Sequence, residues 1–166
     1  MGESSAALGR IKKSDDGFEI QLERTFAHDQ NAVWRMLTEP QAFMLWLAPG
    51  SIELRVAGIV HIDFAESGSL IKSTVLKLDP PRLIEYSWSS GNEPERPLCW
   101  KLDPAPEGTR LLLTLRLPAA EDAAKACAGF DAHLEMLGAA LEGVVIRFPV
   151  DYYLERRRAY QQFLSG

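Results

Sequence analysis

AEDAAKACAGFDAHLEMLGAALEG, residues Ala120–Gly143, reads as one long amphipathic helix. Phe130, Leu134, Leu137 and Leu141 stand at i, i+4, i+7 and i+11 and so share a single stripe. Glu121 and Asp122 occupy the first turn, where negative charge is favoured. Gly143 is placed to end the helix, and Gly129 is the natural place for a bend. A line of large apolar side chains needs a surface to cover, each contributing about 1.5–3 kcal/mol when buried.

The segments before this helix supply that surface. Asp16-Gly17 predicts a hairpin between Leu8–Lys13 and the alternating run Phe18, Ile20, Leu22. Asp29 stands at a helix N-cap position ahead of Val33, Trp34, Met36 and Leu37, and Pro40 stops that helix. Phe43, Trp46 and Leu47 form a second short turn of helix, ended by Pro49-Gly50. From Ile52 the period becomes two. Val60, Ile62 and Phe64 alternate with His61, Asp63 and Ala65; Ser67-Gly68 turns the chain; a strand runs from Leu70 to Leu78. Ile84, Tyr86 and Trp88 share one face, as do Leu98, Trp100 and Leu102, and then Leu111, Leu113, Leu115 and Leu117. Parallel neighbours would need crossovers of about a dozen residues, so the short connections imply an antiparallel meander. After Pro149, Asp151 is placed to cap a last helix, with Tyr153, Tyr160 and Leu164 in line and Arg156-Arg157-Arg158 read as its solvated face.

The chain has 166 residues and 46% hydrophobic content, which fits a single domain over 1–166 with an ample core. Lys and Arg number 18 against 23 Asp and Glu, a formal charge of −5, which argues against nucleic acid or an anionic membrane surface as partner. Cys99 and Cys127 lack any short spacing and read as buried reduced thiols. The start, MGESSAALGRIKK, has no signal-peptide core, and its Gly2 misses the myristoylation pattern because Ala6 stands where a hydroxyl is needed. No run approaches the roughly 18 apolar residues of a membrane span, so a cytoplasmic location is the default expectation.

Taken in order, Glu23-Arg24-Thr25-Phe26, Val33-Trp34, Leu37-Thr38-Glu39-Pro40, Trp46-Leu47-Ala48-Pro49, Leu78-Asp79-Pro80-Pro81-Arg82-Leu83, Tyr86-Ser87-Trp88, Gly108-Thr109-Arg110-Leu111 and Gly129-Phe130…His133-Leu134…Leu137…Leu141…Gly143 resemble a known family. The pattern is similar to the activator of heat-shock-protein-90 ATPase-like branch of the START-like superfamily, over about residues 18–143, with 149–164 as a helical extension. Phe130 stands where Trp is more usual. The resemblance implies an α+β helix-grip fold: a curved antiparallel sheet wrapped around a long C-terminal helix, with two short helices after the first long strand. That scaffold serves lipid carriers, cyclases, resistance proteins and co-chaperones, so it does not choose a function.

A sheet gripping a helix leaves a cleft whose apolar residues either line it or fill it. Trp46, Phe64, Trp88, Trp100 and Phe130 are the inward aromatics expected to line it, with Leu137 on the helix; the alternative is that they pack together. His133, at the edge of the helical stripe, is a candidate polar anchor for a ligand carbonyl or hydroxyl, or else a boundary histidine bonded to the protein. Arg24 shares parity with Ile20, Leu22 and Phe26. It is expected to point inward and to pair with Glu53, Asp63 or Glu85, or to recognise a ligand carboxylate. The polar loop Ser89–Pro97 is a candidate mobile mouth.

His28, His61 and His133 are too scattered for a metal site, no nucleophile elbow is present, and no cofactor is expected. The leading expectation is non-catalytic binding of a hydrophobic small molecule. Two rivals stand beside it: a co-chaperone surface, suggested by the family resemblance, and a cyclase or hydrolase using His133 or Asp63. A homodimer and a chaperone both stay open as partners.

Overall fold

The computed structural model describes residues 7–64 and 69–166. The expected Ser67-Gly68 turn, the Ala65 position and the Met1-Gly2 pattern lie outside the described residues.

Strands β1 (Arg10–Ser14) and β2 (Gly17–Phe26) form the opening hairpin, with Ser14 opposite Gly17. Positive φ falls on Gly17, at 141°, and not on Asp16. A Cβ on Gly17 would sit 2.0 Å from the Leu117 carbonyl oxygen, so glycine both turns the chain and admits the neighbouring strand. Helix α1 (Gln30–Thr38) starts at Asp29, whose side chain accepts from the Ala32 amide at 2.8 Å. Helix α2 (Pro40–Phe43) follows directly.

Strands β3 (Gly50–Ile52), β4 (Ile59–Phe64), β5 (Ser69–Asp79), β6 (Leu83–Ser87), β7 (Pro97–Ala105) and β8 (Gly108–Pro118) make the expected meander. The eight strands form one antiparallel sheet in the order β1-β2-β8-β7-β6-β5-β4-β3. The long-range join is β2 on β8, running from Gly17 opposite Pro118 to Phe26 opposite Thr109. A bulge between Val75 and Lys77 breaks the β5–β6 register, the kind of irregularity that bends a sheet. The architecture is therefore the α+β helix-grip fold that the sequence implies.

Helix α3 (Ala123–Leu141) runs without a break through Gly129. Asp122 caps it by accepting from the Lys125 amide at 3.0 Å, and Gly143, at φ 83°, follows its end. Phe130, Leu134 and Leu137 are buried against Ile20, Leu22, Leu113 and Trp100 in one core; Leu141, in the last turn, is half-buried.

Helix α4 (Val150–Ser165) corrects two expectations. Asp151 lies in its first turn without capping it; Pro149 holds the N-cap position. Arg156 is not on the solvated face but buried, because it stands at i+3 from Tyr153 and i−4 from Tyr160 and so shares their stripe. Its Nε donates to Asp131 Oδ2 of α3 at 3.0 Å, and Tyr160 donates to the same oxygen. Arg24 also departs from expectation. It points inward from β2, as its parity requires, but donates to Asp131 Oδ1 at 2.8 Å rather than to Glu53, Asp63 or Glu85. Its Nε lies 3.7 Å from Glu135.

One fully buried carboxylate thus joins β2, α3 and α4 through two guanidinium groups and a phenol. Glu135 balances the second positive charge from the partly exposed side. Arg156 and Tyr160 also reach the chain start, through the Ala7 carbonyl at 2.9 Å and the Gly9 amide at 2.9 Å. Removing one partner of such a cluster leaves buried charge uncompensated. Asp131→Ala is therefore expected to lower the unfolding free energy by about 3–5 kcal/mol, read as a fall in the urea midpoint. A loss below about 1 kcal/mol would mean that the cluster adds nothing beyond ordinary surface pairing.

Candidate functional site

An open cleft of about 1190 Å³ lies between the N-terminal half of α3 and the sheet. Its apolar part is built from Phe64 at the end of β4, Leu70 and Ile71 of β5, Trp88 beyond β6, Leu115 and Leu117 of β8, and Phe130 of α3. Lys125, Ala126, Gly129 and His133 present a second face of α3 to it, beside the stripe that seals the core. Gly129 is what keeps this face low: a Cβ there would meet no atom within 4 Å.

The sequence candidates separate into three groups. Phe64, Trp88, Phe130 and His133 meet in the cleft. Trp88 lies edge-on to Phe64 at 5.8 Å and to Phe130 at 5.1 Å, and Phe64 lies 6.0 Å from the His133 ring. Trp46, Trp100 and Leu137 are each buried to within 1% and lie in the core beneath it. Trp46 packs edge-on to Trp100 at 5.7 Å. Its indole donates to the Met36 carbonyl at 2.7 Å, while Trp100 donates to the Tyr86 hydroxyl at 3.2 Å. These two indoles have their polar atoms satisfied inside the protein, which is what full burial requires. Arg24 belongs to the Asp131 cluster. Asp63, the alternative acid, is exposed on β4.

His133 Nδ1 lies 2.9 Å from the Trp46 carbonyl oxygen. A carbonyl only accepts, so Nδ1 carries the proton and the neutral ring keeps Nε2 as an acceptor. Burial pushes the imidazole below the usual histidine range, although the bond to Trp46 opposes that shift. Trp88 adds a donor: among the described residues its indole N–H has no hydrogen-bond partner.

The mouth is polar and partly pinned. Arg96 donates Nε and Nη2 to the Glu121 carboxylate at 3.1 and 3.2 Å and Nη1 to the Trp88 carbonyl at 3.0 Å. The Ser89–Pro97 loop, expected to be mobile, is thereby tied to the start of α3. Lys125 and Asp122 complete the rim.

Sequence reasoning missed Phe148 and Tyr153 as cleft residues; both come from the C-terminal segment. Phe148 lies 5.3 Å from the His133 ring and 5.6 Å from Tyr153. The available signal was the apolar run Val144-Val145-Ile146 leading into Phe148. Among the described residues, no cluster of three or more His, Cys, Asp or Glu could hold a metal, and no helix is long and apolar enough to cross a membrane. Cys99 and Cys127 are free thiols, and burial pushes Cys127 up to about 12.

The family model "Activator of Hsp90 ATPase homolog 1-like protein" matches residues 27–142. The chain belongs to this family. Phe148 and helix α4, which carries Tyr153, lie outside the matched region. Among solved structures, the chain is similar to CalU16 from Micromonospora echinospora, at 17% identity and TM-score 0.80, covering 99% of this chain and 100% of that one. It is also similar to EF2215 from Enterococcus faecalis, a conserved protein of unknown function, at 18% identity and TM-score 0.79, covering 95% and 90%. A third is the BPP1335 product of Bordetella parapertussis, at 24% identity and TM-score 0.68, covering 98% and 95%. At such identities the likeness is one of fold. No curated protein matches the chain.

His133 gives a pH dependence whose sign follows from its depressed pKa. The folded state binds the proton less readily than the unfolded chain, so the stabilisation is complete above the ordinary value of 6.5 and is lost as pH falls through the folded value. Urea titrations from pH 7.5 down to 5 are expected to show wild type losing more stability than His133→Gln. Parallel curves for the two proteins would contradict the buried neutral imidazole.

Proposed function

We propose that this protein binds a hydrophobic small molecule in the cleft between sheet and long helix, without covalent chemistry. The supporting observation is Gly129. At a position lining the cleft, the long helix carries no side chain and leaves open space in a groove that Phe64, Trp88 and Phe130 also line. A bound molecule gains from apolar burial against Phe64, Trp88 and Phe130, while the His133 acceptor and the Trp88 donor orient one or two polar groups.

A second reading rests on His133. A neutral imidazole with one nitrogen anchored and the other at the cleft is also the arrangement of a general base, which a cyclase-type enzyme would use. The two readings part on the fate of the ligand: a binder returns it unchanged, whereas an enzyme turns it over and loses turnover in His133→Ala. The co-chaperone reading needs no cleft. It predicts stimulation of a heat-shock-protein-90 ATPase that survives filling of the groove.

Filling the groove tests the leading reading. Gly129→Leu adds a better helix former, worth about 1 kcal/mol in a helix interior, and its Cβ meets no obstruction. Stability is therefore expected to hold or rise. Titration of intrinsic tryptophan fluorescence with a long-chain fatty acid, a sterol and a flavonoid is expected to give saturable binding for at least one in wild type. Gly129→Leu should weaken that binding at least about tenfold. A flat response to all three probes, or equal binding by both proteins, would overturn the reading.

A further inference from the structure

The cleft has one wall that the matched family region does not supply. Residues 27–142 end just beyond α3, yet Phe148 and Tyr153 line the groove together with Trp88 and Phe130. Phe148 is 36% exposed, a large ring held at the groove rather than folded into the core. Its ring partners are His133 and Tyr153, so it extends the lining of the cleft beside the anchored imidazole.

Tyr153 packs against the hydrophobic core, but apolar packing holds little else of this wall. Val144, Val145 and Val150, which flank it, are all more than half exposed. The segment is seated by the buried polar face of α4. Arg156 reaches Asp131 and the Ala7 carbonyl, with the Tyr152 ring 5.2 Å from its guanidinium carbon, while Arg157 Nη2 donates to Asp122 Oδ2 at 3.3 Å. Asp131 and His133 belong to the same turn of α3, so the ionic seat and the covered imidazole are two residues apart. A shift of α4 off Asp131 would move Phe148 and Tyr153 away from the groove.

Resting on the binding reading above, we propose that α4 and the segment leading into it are the retaining wall of the cleft: Phe148 and Tyr153 contact the bound molecule and set its residence time, and Arg156 is the positioning residue that seats them. The wall belongs to this chain's C-terminal segment, so the same core with a different extension would hold different molecules.

Stopped-flow release of anilinonaphthalene sulfonate from the full-length protein tests this. Phe148→Ala and Tyr153→Ala are expected to speed release about tenfold while association stays within about twofold, with the melting temperature unchanged in Phe148→Ala and modestly lowered in Tyr153→Ala. Phe148→Leu should recover part of the residence time. Arg156→Lys keeps the charge but cannot reproduce the fork between Asp131 and Ala7, and is expected to speed release without touching the groove. Wild-type release rates in both alanine variants, with Gly129→Leu still blocking the probe, would overturn the wall and leave the binding reading standing. Absence of saturable probe binding to wild type would overturn both. An Arg156→Lys protein that melts lower yet releases the probe at the wild-type rate would overturn the positioning role alone.

Discussion

The Asp131 carboxylate is the constraint on which the rest of the molecule depends. It is fully buried and accepts from Arg24 of β2, and from Arg156 and Tyr160 of α4, so three elements distant in sequence must meet at one point. Hydrophobic burial alone would let α3 slide or rotate on a sheet of leucines, because apolar contact is non-directional. A carboxylate between two guanidinium groups does not allow that freedom, since displacement by one turn strands charge in the interior. The burial of Leu134 and Leu137 contributes stability; Asp131 sets the register in which it is obtained.

That register decides which face of α3 looks at the sheet and which looks at the cleft. Cys127, Asp131 and Leu134 lie at i, i+4 and i+7 on the sealed side. Ala126, Gly129 and His133 lie to one flank, where small residues leave room. The opening is a consequence of side-chain size on one flank of a helix whose rotation is locked. The same lock carries α4 and, with it, Phe148 and Tyr153 to the opening.

Most of the fold was legible because alternation along β4 to β8 and the stripe on α3 are long, regular signals. The hairpin, the Asp29 cap and the stop before Pro40 were readable from local chemistry. The ion cluster was not read, although its signal was present: Asp131 stands at i+4 from Cys127 and i−3 from Leu134, beside the apolar stripe, and Arg156 falls on the Tyr153–Tyr160 stripe. Arg156 was assigned to the solvated face by residue type instead of helical angle. Arg24 was correctly turned inward by parity, but a strand's parity does not say which element comes to meet it. Of the candidate site, Phe64, Trp88, Phe130 and His133 converge at the cleft, whereas Trp46 and Trp100 lie in the core. Inward-facing rings at the middle and at the end of a sheet look alike in sequence; which of them meets packed core and which meets open groove depends on where the covering helix crosses.

Trp88 lines the open cleft while Trp46 and Trp100 are sealed in the core. Heteronuclear NMR of the indole N–H resonances, during titration with the flavonoid naringenin, addresses this division directly. The Trp88 resonance is expected to move saturably with added ligand while those of Trp46 and Trp100, whose indoles are bonded within the protein, stay in place. Movement of Trp46 and Trp100 with Trp88 unmoved would contradict it.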